Sequence, residues 1–411
     1  LIKKMNIDVE TDSIIPGGKY HNRKDYMSFP SLNKNSLVYS RVKPLKMKGF
    51  NSKKGIFKKL DKKDFLLHTP YQKFLYIINF LIEASIDPQV NSIHITIYRL
   101  SKLSKVANAL INAARNGKKV FVLIELQARF DESANIKYAK EMQSQGVKII
   151  YGSPNLKVHS KICVVERNDK NDLNHYGFIS TGNLNESTAR LYTDLTLFTS
   201  NSKILKEIKS VFSFFDANYK KYNFQNLLIS PINTESRLKR LINSEIRNAK
   251  LGKKAWIKIK INNITSRSII KSLYNASRAG VKIKMIVRGI CCLIPGYPGM
   301  SENIEVISIV DRFLEHTRFI VLCNNNNNKV FISSADWMTR NLDNRVEVTC
   351  PVFDEKIKSE INDIFDIYWK DNLKSRYINH SKINSYKKNR KPRFRSQSEV
   401  YKYYKNKIEG V

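Results

Sequence analysis

The stretch LKVHSKICVV (Leu156–Val165) is an apolar run, typical of a buried strand, that His159 and Lys161 interrupt. Side chains two residues apart in a strand lie on the same face, so the imidazole and the ammonium share one side of the chain. A second run, RFLEHTRFIVLC (Arg312–Cys323), repeats the arrangement with His316 and Arg318. We therefore predict two related strands whose histidines meet in one cleft.

The sequence around these strands is duplicated. NAARNGKKVFVLIEL, which begins at residue 112, aligns with NASRAGVKIKMIVRG, which begins at residue 275. A strand-like run precedes each of them, SIHITIYRL in the first half and WIKIKIN in the second. Each histidine strand is followed by another strand and a polar turn, ISTGN in one half and ISSAD in the other. A repeat of this length indicates two copies of a domain, because solenoid repeats are much shorter.

Apolar strand-like runs alternate with amphipathic segments, which predicts an α/β fold with a mixed, largely parallel sheet in each half. We place the first domain at residues 55–228 and the second at residues 229–375. Residues 1–54 are rich in turn formers and are interpreted as the end of a preceding domain. Residues 376–411 are interpreted as a basic tail that extends into solvent. Because the sequence starts with Leu1, we expect it to be part of a longer protein.

The chain is strongly basic, with 72 Lys and Arg residues against 36 Asp and Glu residues and a formal net charge of +36. Such a charge attracts polyanions, but it does not choose among nucleic acid, an anionic membrane and a phosphate polymer. The five cysteines form no CxxC pair, which argues against a zinc site or a disulfide framework. No apolar run reaches the roughly 18 residues of a membrane span. We expect an intracellular protein, either cytoplasmic or peripheral to a membrane.

The paired histidines suit phosphoryl transfer. A neutral imidazole is available near pH 7, attacks phosphorus, and forms a phosphoramidate that passes its phosphoryl group on. The transferring group carries its charge on oxygen atoms, so cations and amide donors must surround it. One histidine in each half, beside Lys161 or Arg318, therefore indicates a nucleophile and a general acid.

Further candidates lie at strand ends and in the polar turns. An arginine buried at a strand end is costly unless it meets an anion, and its guanidinium binds phosphate through paired hydrogen bonds. For Glu125 and Asp194 we favour a role in orienting cations, and Tyr192 either stacks on a base or packs in the core. No Walker or GxGxxG sequence occurs, so ATP, if used, is bound in another way. The strand-end arginines are Arg99, Arg129 and Arg288, and the turn residues are Asn183, Asn185, Arg190, Arg340 and Arg345.

The order and length of these motifs point to a known family. The sequence contains ELQARFDE, GVKIIYGSPNLKVHSK, TGNLNESTARLYTDL, VRGICCLIPGYPGMSENI and SSADWMTRN in succession. With them the chain resembles the ATP-dependent polyphosphate kinases, the type with two phospholipase-D-like catalytic domains. The resemblance implies two duplicated phospholipase-D-like α/β domains. It also implies that the chain is the C-terminal part, without the N-terminal domain and most of the head domain.

The resemblance also implies roles for individual residues. His159 would be phosphorylated by ATP, and His316 would be the second essential histidine. Tyr192 and Arg288 would contact ATP. To these we add Lys161, Asn183 and Arg318, together with His316, as the expected ATP and phosphate site.

Two arginines are expected beside magnesium. The resemblance places Arg99 and Arg129 where the phosphates and their Mg²⁺ lie. A guanidinium has no lone pair to give to a metal. We therefore interpret Arg99 and Arg129 as neighbours of a Mg²⁺–phosphate cluster and not as its ligands.

The leading hypothesis is reversible transfer of the terminal phosphoryl group of ATP to inorganic polyphosphate through phospho-His159. It implies ATP, ADP and polyphosphate as partners, Mg²⁺ as cofactor, and, by family habit, a homo-oligomer. We do not expect nucleic acid as a partner. The alternative is a phospholipase-D-like phosphodiesterase or nuclease, but Glu166 takes the acidic place of HxKxxxxD, and Arg318 and Cys323 replace Lys and Asp in the second copy. A non-catalytic polyanion binder is a third hypothesis, against which the duplicated histidines argue.

Overall fold

The structure is a computed structural model that describes residues 8, 34–40, 42–47, 50, 55–125, 132–152, 156–169, 172–216, 222–381, 384–387 and 392–410. The chain divides into two units. In the first, Leu1–Val42, the described part includes a 3-10 helix at Asn35–Leu37. The second unit, Lys43–Val411, contains both sheets and every element discussed below.

The first half alternates strands and helices along the chain. Its helices are α1 (Phe57–Leu60), α2 (Leu75–Ile86), α3 (Lys105–Arg115), α4 (Glu132–Ser144) and α5 (Ser202–Asp216). Its strands are β1 (Phe65–Thr69), β2 (Val90–Ile97), β3 (Lys119–Ile124), β4 (Lys148–Tyr151), β5 (Lys157–Val158), β6 (Ile162–Asp169), β7 (Asp172–Ser180) and β8 (Tyr192–Thr199). The sheet order is β1-β8-β7-β6-β2-β3-β4.

The second half repeats this plan. Its helices are α6 (Thr234–Lys250), α7 (Arg267–Arg278), α8 (Thr339–Asp343), α9 (Glu355–Trp369) and α10 (Ser396–Glu409). Its strands are β9 (Leu228–Ser230), β10 (Trp256–Ile261), β11 (Lys282–Val287), β12 (Ile304–Ile309), β13 (Leu314–Glu315), β14 (Phe319–Leu322), β15 (Lys329–Ser333), β16 (Arg345–Val352) and β17 (Ser375–Ile378). The sheet order is β17-β12-β11-β10-β14-β15-β16-β5, with β9 also paired to β16.

The predicted duplicated α/β fold with mixed sheets is confirmed, but the expectation that each sheet is largely parallel is wrong, because antiparallel pairs outnumber parallel ones among the described strands. Apart from the short exchanged strands β5 and β13, parallel pairing is found in β2-β3-β4 and β10-β11-β12, and helices connect β2 to β3, β3 to β4 and β10 to β11. The strands after each histidine, β6-β7-β8 and β14-β15-β16, form antiparallel ladders. Antiparallel neighbours need no crossover to the other end of the sheet. Here a 3-10 helix at Thr188–Arg190 lies in the connection from β7 to β8, and the short helix α8 lies in that from β15 to β16.

The local signals that start and stop the helices are themselves duplicated. Ser104 caps α3 by accepting a hydrogen bond from Ala107 N, and Ser266 caps α7 in the same way. Gly117 and Gly280 follow these two helices with positive φ angles of +76° and +88°, a conformation that favours glycine. The matching caps explain why the two helices end at corresponding places in the repeat.

Three apolar clusters hold the fold together. Alternate residues of β6 point to opposite faces: Ile162 and Val164 enter a central cluster, whereas Cys163 and Val165 face the outer helices of the first half. The second half has an outer cluster of its own. Because the central cluster draws side chains from both sheets, the two halves share one core.

The two halves also exchange short strands. β5, which precedes His159, pairs in parallel with β16 of the second sheet. β13, which precedes His316, pairs in parallel with β8 of the first sheet. Each histidine is therefore presented by one half beside a strand of the other half's sheet, and this exchange builds the site.

The interpretation of residues 376–411 as a solvated tail is wrong for α10. Val400 and Tyr404 of α10 are buried in the central core. Aromatic and apolar residues at helical spacing give this segment a face to bury, which its many lysines obscured. No helix in the described part of the chain is both long enough and apolar enough to cross a membrane.

Candidate active site

His159 follows β5 and is fixed by the second half of the chain. Its backbone N–H donates to the carbonyl oxygen of Val346 at 3.0 Å. Its Nδ1 lies 2.9 Å from Oε2 and 2.8 Å from Oε1 of Glu347, a fully buried residue of β16. Ser334 and Asn341 also donate to this carboxylate. An ionised Glu347 therefore holds the proton on Nδ1, which leaves the Nε2 lone pair available for attack.

His316 is fixed in the corresponding way by the first half. Its backbone N–H donates to Oγ1 of Thr193 at 3.1 Å. Its Nδ1 lies 2.8 Å and 3.0 Å from the two carboxylate oxygens of Asp194 on β8. Thr181 donates to the same carboxylate at 2.7 Å. Each half thus supplies a histidine to the other half's carboxylate.

Glu347 is the functional residue that the sequence reasoning missed. Asp194 lies in the motif LYTDL, and Glu347 lies in NRVEV. The sheet registers place Asp194 and Glu347 at equivalent positions, each two residues before the threonine that pairs with Ser180 or Ser333. Alignment of the two polar turns through these serines would have identified the second carboxylate.

Burial keeps both imidazoles neutral. It lowers the pKa of His159 to about 3, against the opposing effect of Glu347. Burial also lowers the pKa of His316 below its ordinary value, against the opposing effect of Asp194. Yet 12% of the His159 side chain and 13% of the His316 side chain remain exposed, so a small anion can reach both rings. A neutral, partly accessible imidazole is the form that a nucleophile requires.

Lys161 joins the two halves electrostatically. The residue is almost completely buried, and its Nζ donates to the carbonyl oxygen of His159. The pKa of Lys161 is lowered to about 7, chiefly by burial; Glu347 opposes this shift and Arg318 adds to it. Lys161 in turn helps to lower the pKa of His316. Lys161 is therefore close enough to influence both histidine segments electrostatically.

Arg318 holds the position equivalent to Lys161 but has a different environment. Its Nε and Nη2 donate to Asp336 at 3.1 Å and 3.3 Å. Its Nη1 lies 3.4 Å from His316 Nε2 and donates to the carbonyl oxygen of Thr181 at 3.3 Å. Arg318 is therefore largely engaged by the protein, whereas Lys161 forms no ion pair with a described carboxylate. The lysine is the cation better placed to meet an incoming phosphate.

Aromatic and cationic groups flank both rings. The Tyr192 ring lies 5.4 Å from that of His316, and the Tyr98 ring lies 5.0 Å from that of His159, between centroids. The pKa of Arg288 is lowered by burial and then by Arg318, which places its charge on the His316 side. The Arg99 guanidinium lies 5.5 Å from the Tyr98 ring centroid, beside His159.

The other candidate residues differ in their surroundings. Arg345 is close enough to help lower the pKa of His159 and Lys161. Asn183, at the position equivalent to Asp336, has a buried Oδ1 without a hydrogen-bond partner among the described groups. Asn185 is used within its own turn, where it accepts from Ser187 N and Thr188 N. Arg190 and Arg340 are exposed, Glu125 accepts from Val158 N, and Arg129 lies outside the described residues.

A glycine makes room for one of the two carboxylates. A Cβ added to Gly182 would overlap the Asp194 carboxylate. The equivalent residue in the second half is Ala335, and there the carboxylate sits on the longer Glu347. The shorter aspartate must approach the turn more closely, which only glycine permits.

The described residues do not themselves form a metal site. No group of three or more His, Cys, Asp or Glu side chains among them is arranged to hold a metal ion. The predicted neighbours of Mg²⁺, Arg99 and Arg129, carry no metal-binding lone pair. This part of the protein consequently does not fit a resident metal, and we derive no step through one.

Two family models match the chain. "Polyphosphate kinase C-terminal domain 1" matches residues 55–221, and "Polyphosphate kinase C-terminal domain 2" matches residues 227–397. The chain belongs to the polyphosphate kinase family. The polyphosphate kinase of Vibrio parahaemolyticus is 47% identical over 375 residues, which are 91% of this chain and 54% of the relative. That of Escherichia coli K12 is 43% identical over 377 residues, which are 91% of this chain and 55% of the relative.

Solved structures agree with this assignment. The crystal structure of polyphosphate kinase from Porphyromonas gingivalis matches with a TM-score of 0.89 at 38% identity, over 100% of this chain and 63% of that one. A phosphatidylserine synthase from Haemophilus influenzae matches with a TM-score of 0.51 at 10% identity, over 86% of this chain and 97% of that one, which shows a shared fold alone. The chain spans about half the length of the curated relatives it matches.

Proposed function

We propose that this chain carries the catalytic centre of a polyphosphate kinase. The reaction is reversible transfer of the terminal phosphoryl group of ATP to inorganic polyphosphate through a phosphohistidine at His159. Family membership supports the reaction type. The observation that carries the mechanism is the reciprocal pair of histidines, each bound through Nδ1 to a buried carboxylate of the other half.

In the first step, Nε2 of His159 attacks the γ-phosphorus of ATP. The P–Nε2 bond forms, the bond between the γ-phosphorus and the β,γ-bridging oxygen breaks, and ADP leaves with that bonding pair. The Nδ1 proton stays on the imidazole, where Glu347 stabilises the positive charge that develops on the ring. In the second step, a terminal oxygen of polyphosphate attacks the phosphorus and returns the electron pair to Nε2. Polyphosphate is one unit longer, and the enzyme is restored.

Cations around the rings stabilise the charge on the phosphoryl oxygens. Lys161 is the main hydrogen-bond donor. Burial lowers its pKa, whereas the negative charge of a bound phosphate raises it and keeps the ammonium protonated. Arg288 and Arg345 add positive charge on the two sides of the site. We assign His316 the role of the positioning partner: the negative charge of the bound phosphates raises its pKa, Nε2 takes a proton from solvent, and Nε2 then donates to a phosphoryl oxygen.

The remaining partners are proposed from the family. Tyr192, Arg288 and Asn183 would contact ATP or its phosphates, and Arg99 and Arg129 would lie near the magnesium that accompanies the nucleotide. Mg²⁺ is commonly bound through substrate phosphates with few protein ligands, so it enters here as part of the substrate complex. A homo-oligomer and peripheral association with a membrane stay predictions, as do the domain limits 55–228 and 229–375.

Incubation of the 411-residue chain with γ-³²P-labelled ATP and Mg²⁺ tests the proposal. We expect label that is stable in alkali and lost in acid, and that chases into polyphosphate on addition of a polyphosphate primer. His159→Ala should abolish the label. His175→Gln is the matched control, because His175 contacts Glu166 near the opposite end of β6 from the site. Retained label in His159→Ala, or loss of label in both variants, would contradict the assignment.

The same preparations separate the alternative reaction. Hydrolysis of bis(p-nitrophenyl) phosphate that depends on both histidines, without polyphosphate formation from ATP, would favour a phosphodiesterase. If His159→Ala and His316→Ala bind polyphosphate as wild type does and the wild type transfers no phosphate, the chain is a polyanion binder.

A further inference from the structure

The supports beneath the two histidines are not alike. On the His159 side, Val158 lies opposite Val346, and Thr96 donates to the carbonyl oxygen of Ser160 at 2.7 Å. On the His316 side, Glu315 and Thr193 replace the valine pair. An apolar contact in one half is thus a buried polar network in the other.

Lys260 is the centre of this network. It occupies the position equivalent to Thr96, and its Nζ lies 2.9 Å from Oε2 of Glu315. Both side chains are almost completely inaccessible to solvent. Thr193 donates to the same Oε2 at 3.1 Å, and its Oγ1 also accepts from His316 N. Thr193 therefore links the buried ion pair to the backbone of His316 through two hydrogen bonds.

The second oxygen of Glu315 is bound by a residue from outside the repeat. Gln397, in the first turn of α10, donates from Nε2 to Oε1 of Glu315 at 2.7 Å. The same amide donates to the carbonyl oxygen of Phe313 at 2.9 Å and accepts from Phe313 N at 2.9 Å. One buried side chain therefore makes three hydrogen bonds to the segment that leads into His316.

Other contacts hold α10 in place independently of Gln397. Arg395 donates to Asp311 at 2.8 Å, and Ser396 donates to Asp371 at 2.7 Å. Tyr404 lies 3.2 Å from His68 of β1, and Val400 is buried in the shared core. Because the helix has these anchors, removal of the Gln397 amide need not release α10.

We propose that Gln397 is a positioning residue for His316, acting through Glu315 and the backbone of Phe313. The helix α10 thereby controls one histidine and not the other. Among the described contacts, the segment that leads into His159 is supported from elsewhere: Val346 lies opposite Val158, and Glu125 accepts from Val158 N. The expected effect of Gln397 on turnover rests on the proposed phosphoryl transfer. Its expected effect on the position of the His316 ring is independent of that proposal.

The test compares Gln397→Leu, which keeps the volume and removes the amide, with Val400→Ala, which weakens the packing of α10 and leaves the amide. For Gln397→Leu we expect kcat to fall about 10- to 100-fold, the effect of a small misplacement of a reacting group, with KM for ATP within about twofold of wild type. Val400→Ala should lower Tm at least as much and keep kcat within about twofold.

A double variant supplies the rescue. Gln397→Glu puts two carboxylates in contact and should be as defective as Gln397→Leu. In Gln397→Glu with Glu315→Gln, the amide and the carboxylate exchange places and the hydrogen bond between them returns. We expect kcat of the double variant to exceed that of Gln397→Glu several-fold.

Histidine imidazole NMR on ¹³C-labelled protein gives a measurement that does not need activity. The His316 resonance, assigned with His316→Gln, should shift in Gln397→Leu and stay in place in Val400→Ala, while that of His159 is unmoved in both. Equal shifts and equal losses of kcat in Gln397→Leu and Val400→Ala would show general destabilisation and overturn the proposal. If the His316 resonance shifts in Gln397→Leu but the wild-type chain transfers no phosphate, the positioning role of Gln397 is upheld and only the proposed function is refuted.

Discussion

Replacement of Glu347 by glutamine should put His159 in the wrong tautomer. Three donors converge on this buried carboxylate: Asn341 on Oε1, Ser334 on Oε2, and His159 Nδ1 between the two oxygens. A glutamine offers only one oxygen. If that oxygen stays with Asn341, the amide NH₂ faces Nδ1, which must then become an acceptor. The proton moves to Nε2, and the attacking lone pair is lost.

The size of the effect follows from the bond that is removed. A hydrogen bond to a charged group contributes about 1.5–3 kcal/mol. If that stabilisation is realised as charge develops on the imidazole, the loss slows phosphorylation about 10- to 150-fold. The tautomer change adds to this, so the range is a lower bound. Because Glu347 raises the pKa of His159, its neutralisation lowers that pKa further from about 3. The ring is neutral in both proteins, but Glu347 also raises the pKa of Lys161, so the pH comparison is made with Lys161→Arg in both proteins, which removes that titration. In this background the rate ratio should stay constant between about pH 6 and 8.

Rapid-quench measurement of acid-labile label from γ-³²P-labelled ATP gives the phosphorylation rate of His159 directly. Glu166→Gln is the matched control. Glu166 is a buried carboxylate in the half that carries His159, but it binds Ser92 and Lys209 and not a catalytic residue. It should label at the wild-type rate. Circular dichroism melting establishes that both variants are folded.

The reasoning is refuted if folded Glu347→Gln labels within about twofold of wild type. It is also refuted if Glu166→Gln loses label to the same extent, since any buried carboxylate would then serve. A rate ratio that changes steeply with pH in the Lys161→Arg background would mean that a charged imidazole, and not a tautomer, limits the step.

Two further predictions concern the cation and the glycine. Because burial lowers the pKa of Lys161 to about 7, the ammonium loses its proton as pH rises. Calorimetry should therefore show weaker binding of tripolyphosphate at pH 8.5 than at pH 6.5. Lys161→Arg keeps its charge and should bind with little dependence on pH; an equal pH dependence of binding in wild type and variant would exclude Lys161 as the titrating group. Gly182→Ala should displace Asp194 and lower kcat about tenfold or more. Ala335→Gly, the reverse change at the equivalent position of the other half, should have a smaller effect. Wild-type kcat in Gly182→Ala would show that turnover does not depend on the present position of Asp194.

Much of the site was accessible to sequence reasoning because it is duplicated. His159 and His316 interrupt similar strands, and the structure brings them into one cationic centre with Lys161 and Arg318. The interpretation of Asp194 as an orienting group agrees with its contact to His316. These predictions worked because residue spacing on a strand and repetition along the chain are local properties that one sequence displays.

Other parts of the site could not be predicted in this way. Arg318 was grouped with Lys161, yet Asp336 engages its guanidinium and leaves the lysine as the freer cation. The pattern of residues 396–409 carries many lysines and suggested solvent exposure, although its apolar face packs in the central core. In both cases the decisive partner lies far away in the sequence, so local pattern alone gives no sign of it.

The sequence by itself determined the repeating α/β plan and the placement of each histidine two residues before a cation, because these depend on short-range geometry and on repetition along the chain. The tertiary structure alone decided that β5 and β13 change places between the sheets, so that Glu347 holds His159 and Asp194 holds His316. It also decided which cation is paired and where Gln397 inserts. The physical reason is burial: a carboxylate, an imidazole or an ammonium acquires its protonation state and direction only from the partners that replace water around it.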